Sequence, residues 1–425
     1  MATTYLQALR RFSRDVRLYL VTAALFGFTV FGGIYPVLFN LYLLRLGHGP
    51  EFIGLVNAAF LLAFGGFCLP AGVLGGRWGI RRMMIAGLCL AVAGHGLLPL
   101  AEFIPNTTQA GWILATYLLS GLGIALYIVN ATPFLMGTTS SEERIHVFSV
   151  QAALWPLAGF AGSLVGGLLP RLFATVMDAS LDNPAPYRYP LLIAAVALIP
   201  TVVAMLATRE ISPAHIEETV AETGPAPYGL IALMALVVLL QSAGSGVART
   251  FFNVYLDASL HVPTAQIGAL SATGQLLAVP AALAAPLLMT RWGKSRTYVL
   301  GSLGMALGLL PLALIPHWGT AGLGFMGVMA PASIASPTIT VYHQEIVSPG
   351  WRSAMSGATT MAVGLSWSAM ALGGGYLITA LGYRSLFLTG AGLTAAGALL
   401  FWAYFRVPRG ELARASALSE PRRPD

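Results

Sequence analysis

Charged side chains are what this chain has least of. Acidic and basic residues make up only 9% of its 425 residues, and the mean hydropathy is +0.75. A soluble globular protein of this length needs a far more polar surface, so lipid is the expected solvent. Cysteine is equally scarce. Cys68 and Cys89 both lie in apolar stretches, and no spacing of Cys and His matches a ligand set, so neither a disulfide nor a metal site is expected. Also missing are a P-loop, an Asp-rich metal motif, a His-Glu-x-x-His pair and a Gly-x-Ser-x-Gly elbow. These absences argue against an enzyme, against a nucleotide-driven pump and against any cofactor. The net charge of +7 is carried by 22 arginines and one lysine. With abundant Ala and Gly, that bias fits genome composition and membrane topology, and no nucleic-acid partner is expected.

What is present is a repeat. Phe39-Asn40-Leu41-Tyr42-Leu43 recurs as Phe252-Asn253-Val254-Tyr255-Leu256, Ile53-Gly54 as Ile267-Gly268, and Arg77-Trp78-Gly79 as Arg291-Trp292-Gly293, at offsets of 213, 214 and 214. Matches in one order at one offset mean two copies of one membrane unit. Duplicated membrane units with a site at their interface are the usual architecture of transporters.

A bilayer-crossing helix needs about 20 mostly apolar residues. Twelve such spans are expected at 18–45, 52–75, 82–101, 110–135, 146–172, 189–208, 228–256, 264–289, 297–316, 320–343, 353–381 and 385–406. The fold class is therefore an all-α membrane protein of twelve transmembrane helices in two pseudo-symmetric six-helix halves, 1–208 and 228–406. Residues 209–227 read as a polar, acidic linker and 407–425 as a basic disordered tail. With both termini inside, the cytoplasmic segments hold 18 of the 23 basic residues, which fixes the orientation by the positive-inside rule. The expected location is the inner or plasma membrane of a prokaryote. The first apolar run is too long for the core of a cleaved signal peptide.

Between the second and third spans, Gly72-Val73-Leu74-Gly75-Gly76-Arg77-Trp78-Gly79-Ile80-Arg81-Arg82 resembles the signature of the major facilitator superfamily. The family's usual Asp is Gly76 here, which weakens the charge cluster that holds one conformation closed. The resemblance implies a transporter, commonly monomeric, that alternates access by rocking residues 1–208 against 228–425. It also implies a conformational charge cluster of Arg77, Arg81 and Arg82 with Glu142, Glu143 and Arg144, and Glu345 and Arg352 at the equivalent loop. The alternative is that these charges only anchor topology and touch headgroups. In the fifth span Ala158, Gly162, Ser163, Gly166 and Gly167 resemble a glycine pattern of the drug:proton antiporter branch, with Ala158 and Ser163 departing from it. Ordinary small-residue packing is the other reading, and the pair Gly374-Gly375 favours it. In the fourth span Tyr117 stands where that branch has an arginine.

The resemblance implies that the first, fourth, seventh and tenth spans line the pathway. On the seventh, Ser242, Ser245, Arg249 and Asn253 fall on one helical face, with Asp257 a turn further. An arginine inside a span is costly unless it meets water or a counter-charge. Arg249 is therefore either functional or an outer-half residue that snorkels or pairs with Asp257 or Glu51. Phe28, Phe31, Tyr35, Phe39 and Tyr42 form an aromatic stripe on the first span, facing either a cavity or lipid. Asn40 and Asn253 are expected to bond across the repeat axis or to cap helix ends. Tyr117, Tyr127, Asn130, Gln151, Trp155, Gln275, Ser336 and Thr340 complete the candidate substrate cavity.

No carboxylate falls at mid-bilayer, so a simple proton-coupling acid is lacking. His95, His343, Asp257 and Glu345 remain as candidate proton carriers. Efflux of amphipathic or drug-like compounds, as in an antiporter, is the leading expectation. The alternatives are uptake or exchange of a small anionic or polar metabolite bound by Arg249, and a non-transporting sensor or lipid-handling protein on the same fold.

Overall fold

The computed structural model describes residues 12–210 and 227–406, except the side chains of Ser141, Glu142, Arg144, Ile145, Pro349 and Ser353. The expectations for Arg10, Arg11, most of the linker, the tail from 407 and the Glu142 and Arg144 side chains lie outside the described residues.

Every regular element among the described residues is helical, because backbone groups in hydrocarbon must pair within their own segment. The helices are α1 (Arg14–Thr29), α2 (Ile34–Arg45), α3 (Pro50–Trp78), α4 (Ile80–Leu97), α5 (Asn106–Thr138), α6 (Ser141–Met177), α7 (Ala185–Leu206), α8 (Tyr228–Ala258), α9 (Thr264–Trp292), α10 (Lys294–Leu314), α11 (Trp318–Ile346) and α12 (Arg352–Phe405). Among the described residues eleven runs are long and apolar enough to cross a membrane. The last, Ala354–Phe405, has 52 residues, far more than one crossing needs. Gly382, at φ 81° and ψ 172°, breaks it into two helices, which restores the expected twelve. The first run is α1 and α2 together, interrupted at residues 30–33.

The described residues divide into two compact units. Residues 12–210 together with Asn253–Leu276 form the first; 227–252 with 277–406 form the second. This boundary differs from a cut at the linker, because the last part of α8 and the first half of α9 count with the first unit. In that unit α4 packs between α5 and α7, and α1 lies against α6 and α7. Its core gathers Tyr19, Phe26, Met84, Leu88, Tyr127 and Phe134, all at least 98% buried. In the second unit α10 packs on α11 and α12, over a core that includes Met234, Tyr298, Met355 and Phe401.

The repeat continues in the packing. Gly87 and Gly94 on α4 lie against the backbone of α5, and Gly301 and Gly308, 214 residues later, lie against α11. Lipid supplies no hydrophobic force to join two apolar helices, so close backbone approach through small residues does the joining. Each half also turns from one helix into the next at a single residue. Gly79 has φ 100° and Gly293 φ 82°, a region that L side chains rarely enter, so glycine at both places permits the corner.

Candidate substrate-binding and gating residues

In the first unit the break between α1 and α2 is held by side chains. The Gly32 carbonyl, with φ 95° at that residue, accepts hydrogen bonds from Ser163 Oγ at 2.5 Å and from Gln275 Nε2, and Gln275 Nε2 also reaches Ser163 Oγ at 3.2 Å. Ser163, a departure from the antiporter-like pattern, is thus a structural tie. Gly162 and Gly166 give α6 room against Phe28, Gly33 and Ile34, and Gly167 meets Gly268, which favours the packing reading of that pattern.

The break also corrects the expected aromatic stripe, which is not continuous. Tyr35 and Phe39 are buried, with Tyr35 Oη donating to the His95 carbonyl and the Phe39 ring tilted 4.3 Å from that of Tyr117. Tyr42 Oη donates to the Pro99 carbonyl at 2.7 Å. Phe28 is half-buried, and only Phe31 is open, at 45% exposure, with its ring 4.9 Å from that of Trp155. The buried indole nitrogen of Trp155 has no hydrogen-bond partner among the described residues.

Most of the other expected cavity residues are tied into the bundle. Asn130 is 2% exposed and donates to the carbonyls of Ala71 at 3.2 Å and Leu126 at 2.9 Å, joining α5 to α3. Gln151 donates to Tyr19 Oη at 2.7 Å. Tyr127 is buried against Phe26, and Tyr117 lies between Phe39 and Phe60. Ser336 and Thr340 are exposed on α11, with Thr340 Oγ1 bonded to the Ser336 carbonyl. His95 is buried, its Nδ1 2.9 Å from the Ala91 carbonyl. His343 is 5% exposed, and its Nε2 has no hydrogen-bond partner among the described residues.

At one end of the first unit lies an ionic network that sequence reasoning missed. Arg45 grips Asp257 bidentately, with Nη1 to Oδ2 and Nη2 to Oδ1 both at 2.7 Å, and its Nε donates to the Leu181 carbonyl. Asp257 thus pairs with Arg45, which corrects its expected pairing with Arg249. A cleft of about 450 Å³ opens beside the pair, lined by Leu44, Tyr187, His261 and Thr264 among others. Arg188 pairs with Glu102 at 2.6 Å close by in sequence to Tyr187.

Asn253, expected to face a pathway, is 8% exposed and donates from Nδ2 to the carbonyls of Pro36 at 2.8 Å and Val37 at 3.4 Å, while its Oδ1 accepts from Ser271. The repeat is legible here too. Asn40 Oδ1 accepts from Asn57, and Asn57 and Ser271 are 214 residues apart.

In the second unit Ser242 and Ser245 are buried, and Ser245 Oγ, bonded to the Ser242 carbonyl, accepts from the indole N–H of Trp367 at 3.1 Å. Trp367 was not singled out by the sequence, because aromatic residues in apolar spans carry no distinguishing signal. The Arg249 guanidinium lies over its ring, 5.4 Å from the centroid. Arg249 is exposed while Ala248 and Thr250 beside it are buried, and among the described residues no carboxylate pairs with it. Glu51 is exposed, and among the described residues it forms no ion pair with Arg249.

Among the described side chains the arginines of the expected charge cluster meet Glu210. Arg81 donates to the carbonyls of Met205 and Leu206, and both Arg81 and Arg82 lie 3.9 Å from Glu210. Glu143 instead closes a capping box with Ser140 at the start of α6. Arg77 is exposed. In the other half Glu345 pairs with Lys294, and Arg352 donates to the Gln344 carbonyl at 2.9 Å. No group of metal-ligating side chains is found among the described residues.

A duplicated set of long apolar helices, broken at glycines, marks a multi-pass membrane protein. The chain belongs to the Major Facilitator Superfamily, whose profile matches residues 18–370 and 234–424. An uncharacterized MFS-type transporter of Mycobacterium tuberculosis, Rv0849, is 25% identical over 393 residues, covering 89% of this chain and 87% of that protein. The methyl viologen resistance protein SmvA of Salmonella typhimurium is 32% identical over 125 residues, 28% of this chain and 23% of its own. The inward-open xylose transporter XylE from E. coli has the same fold, with a TM-score of 0.73 at 14% identity over 95% of this chain and 99% of that one. Members of the family transport small molecules, often coupled to protons and commonly as monomers.

Proposed function

We propose that the protein is a secondary transporter of the cytoplasmic membrane that expels small amphipathic, drug-like compounds by alternating access. The observation that carries this reading is the open Phe31 ring tilted against Trp155, whose indole N–H has no partner among the described residues. A buried donor without a partner costs about 1–3 kcal/mol, so a ligand acceptor that reaches it gains what the resting protein forgoes. An aromatic surface with one hydrogen-bond donor suits planar apolar molecules that carry an ether or carbonyl oxygen. The similarity to a methyl viologen resistance protein over part of the chain supports export. The bias of basic residues supports cytoplasmic termini.

The packing of Asn253–Leu276 against the rest of the first unit is the part that changes during the cycle, with Arg45 and Asp257 separating when the outer side opens. Coupling has no mid-span carboxylate to use. His343, buried with an unpartnered Nε2, is the proton-carrier candidate that the geometry favours over the ion-paired Asp257.

A second reading rests on Arg249. An exposed guanidinium over an indole, with no carboxylate partner among the described residues, favours a substrate with a carboxylate or sulfonate, taken up or exchanged. Accumulation of a dye and drug panel in a pump-deficient host, with and without a protonophore, separates the two. Lower accumulation of neutral dyes that the protonophore abolishes supports export. Ligand binding without any flux would favour a sensor and overturn the proposal.

A further inference from the structure

The duplicated Arg-Trp-Gly corners differ in one respect that points to a ligand. At the first corner, Trp78 ends α3, Gly79 turns the chain, and Arg77 and Arg82 are exposed. The carboxylate of Glu210 sits on this corner. A methyl group added at Gly79 would come within 2.6 Å of Glu210 Oε1, and Arg81 Nη1 and Arg82 Nε lie 3.9 Å from Oε2. The corner is therefore an acid-accepting surface whose acid is supplied by the chain itself.

At the second corner the same backbone is built again. Trp292 ends α9, Gly293 turns the chain, and among the described residues nothing lies within 4 Å of a methyl group added there. Arg291 and Arg296 are exposed, and among the described residues no acidic group pairs with either. Glu345 is near this corner but is held by Lys294. Counting from the helix ends, Glu210 stands four residues past Leu206, and four residues past Phe405 the sequence has Arg409 instead. Trp78 and Trp292 are 60% and 44% exposed, and an indole at the end of a spanning helix suits the membrane–water interface.

We propose that the second corner, Arg291, Trp292, Gly293 and Arg296, binds the headgroup of an acidic phospholipid in the place that Glu210 fills at the first. Trp292 lies at headgroup level with its ring among the upper acyl carbons, and the two arginines take the phosphate. A doubly exposed arginine pair bonds phosphate in forked geometry that a zwitterionic lipid offers only with its own cation in the way. This site acts on the transporter from its membrane surface and is independent of what is transported.

The test uses the full chain in vesicles of phosphatidylcholine containing an equal fraction of either brominated phosphatidylglycerol or brominated phosphatidylcholine. The Trp292 signal is the fluorescence of wild type minus that of Trp292→Phe. Brominated phosphatidylglycerol should quench it at least about threefold more than brominated phosphatidylcholine, from roughly one favourable contact per arginine. The preference should vanish in Arg291→Gln/Arg296→Gln. The Trp78 signal, obtained in the same way, should show little preference until Glu210→Gln uncovers that corner. Equal quenching of Trp292 by the two lipids overturns the proposal, as does a preference that survives loss of both arginines. A preference that appears only after removal of residues 407–425 overturns it as well, because the tail's own acids would then be the occupant.

Discussion

Arg45 holds Asp257 through both terminal nitrogens at 2.7 Å, across 212 residues of sequence, and uses its Nε on the Leu181 carbonyl. Both side chains are largely covered, at 18% and 10% exposure, so the pair is short of the solvent that makes surface ion pairs weak. In the alternating-access proposal this contact is one of the two arrangements of a bistable element.

Asp257→Asn should loosen that arrangement by about 2 kcal/mol, roughly a thirtyfold shift in the population with the cleft open. In a Cys68→Ser/Cys89→Ser background, Val262→Cys lines the cleft and is 5% exposed. Its labelling by a membrane-impermeant maleimide should rise sharply with Asp257→Asn and fall back in the charge-swapped Arg45→Asp/Asp257→Arg. Unchanged labelling in Asp257→Asn would contradict a gating role.

Asn253→Ala should destabilise the detergent-solubilised protein by about 1–3 kcal/mol, because the carbonyls of Pro36 and Val37 lose a donor and Ser271 loses an acceptor. Asn57→Ala should cost less, since it removes one side chain-to-side chain bond to Asn40. Thermal unfolding followed by light scattering would rank the two.

The crossings and the repeat were legible because lipid forces the backbone into helices whose length is fixed by the bilayer, and because two copies keep the same corner glycines. The rotation of each helix about its axis was not. Lipid-facing and bundle-facing positions are equally apolar, so periodicity does not tell them apart. Asn130 and Asn253 therefore read like pathway residues although they tie helices together. Arg45–Asp257 and Arg81–Glu210 join residues 212 and 129 positions apart, and no local pattern connects them. Arg249 was legible because a lone cation in a span stands out, whereas Trp367 beneath it did not.

Arg249→Gln should abolish any preference for organic acids over their amides while leaving the flux of neutral amphipathic compounds within about twofold. Trp367→Phe removes the Ser245 hydrogen bond and should weaken acid binding several-fold without reversing the preference. Equilibrium binding of matched acid and amide pairs to the purified protein measures both.

His48, between α2 and α3, stacks on Phe52, and burial lowers its proton affinity from the usual 6.5 against a smaller opposing effect of Gln109. Above that pH it is neutral folded or unfolded. As the pH falls below about 6.5 the unfolded chain takes the proton first, so stability declines until the folded value is passed. Wild type should therefore lose more thermal stability between pH 7 and pH 5 than His48→Asn, and parallel pH profiles would contradict this.

Uptake of an amphipathic dye into protein-containing liposomes under an imposed pH gradient tests transport itself. The account predicts saturable accumulation that collapses with a protonophore and is lost in Phe31→Ala/Trp155→Ala. Accumulation equal to that of protein-free liposomes across the panel would contradict it.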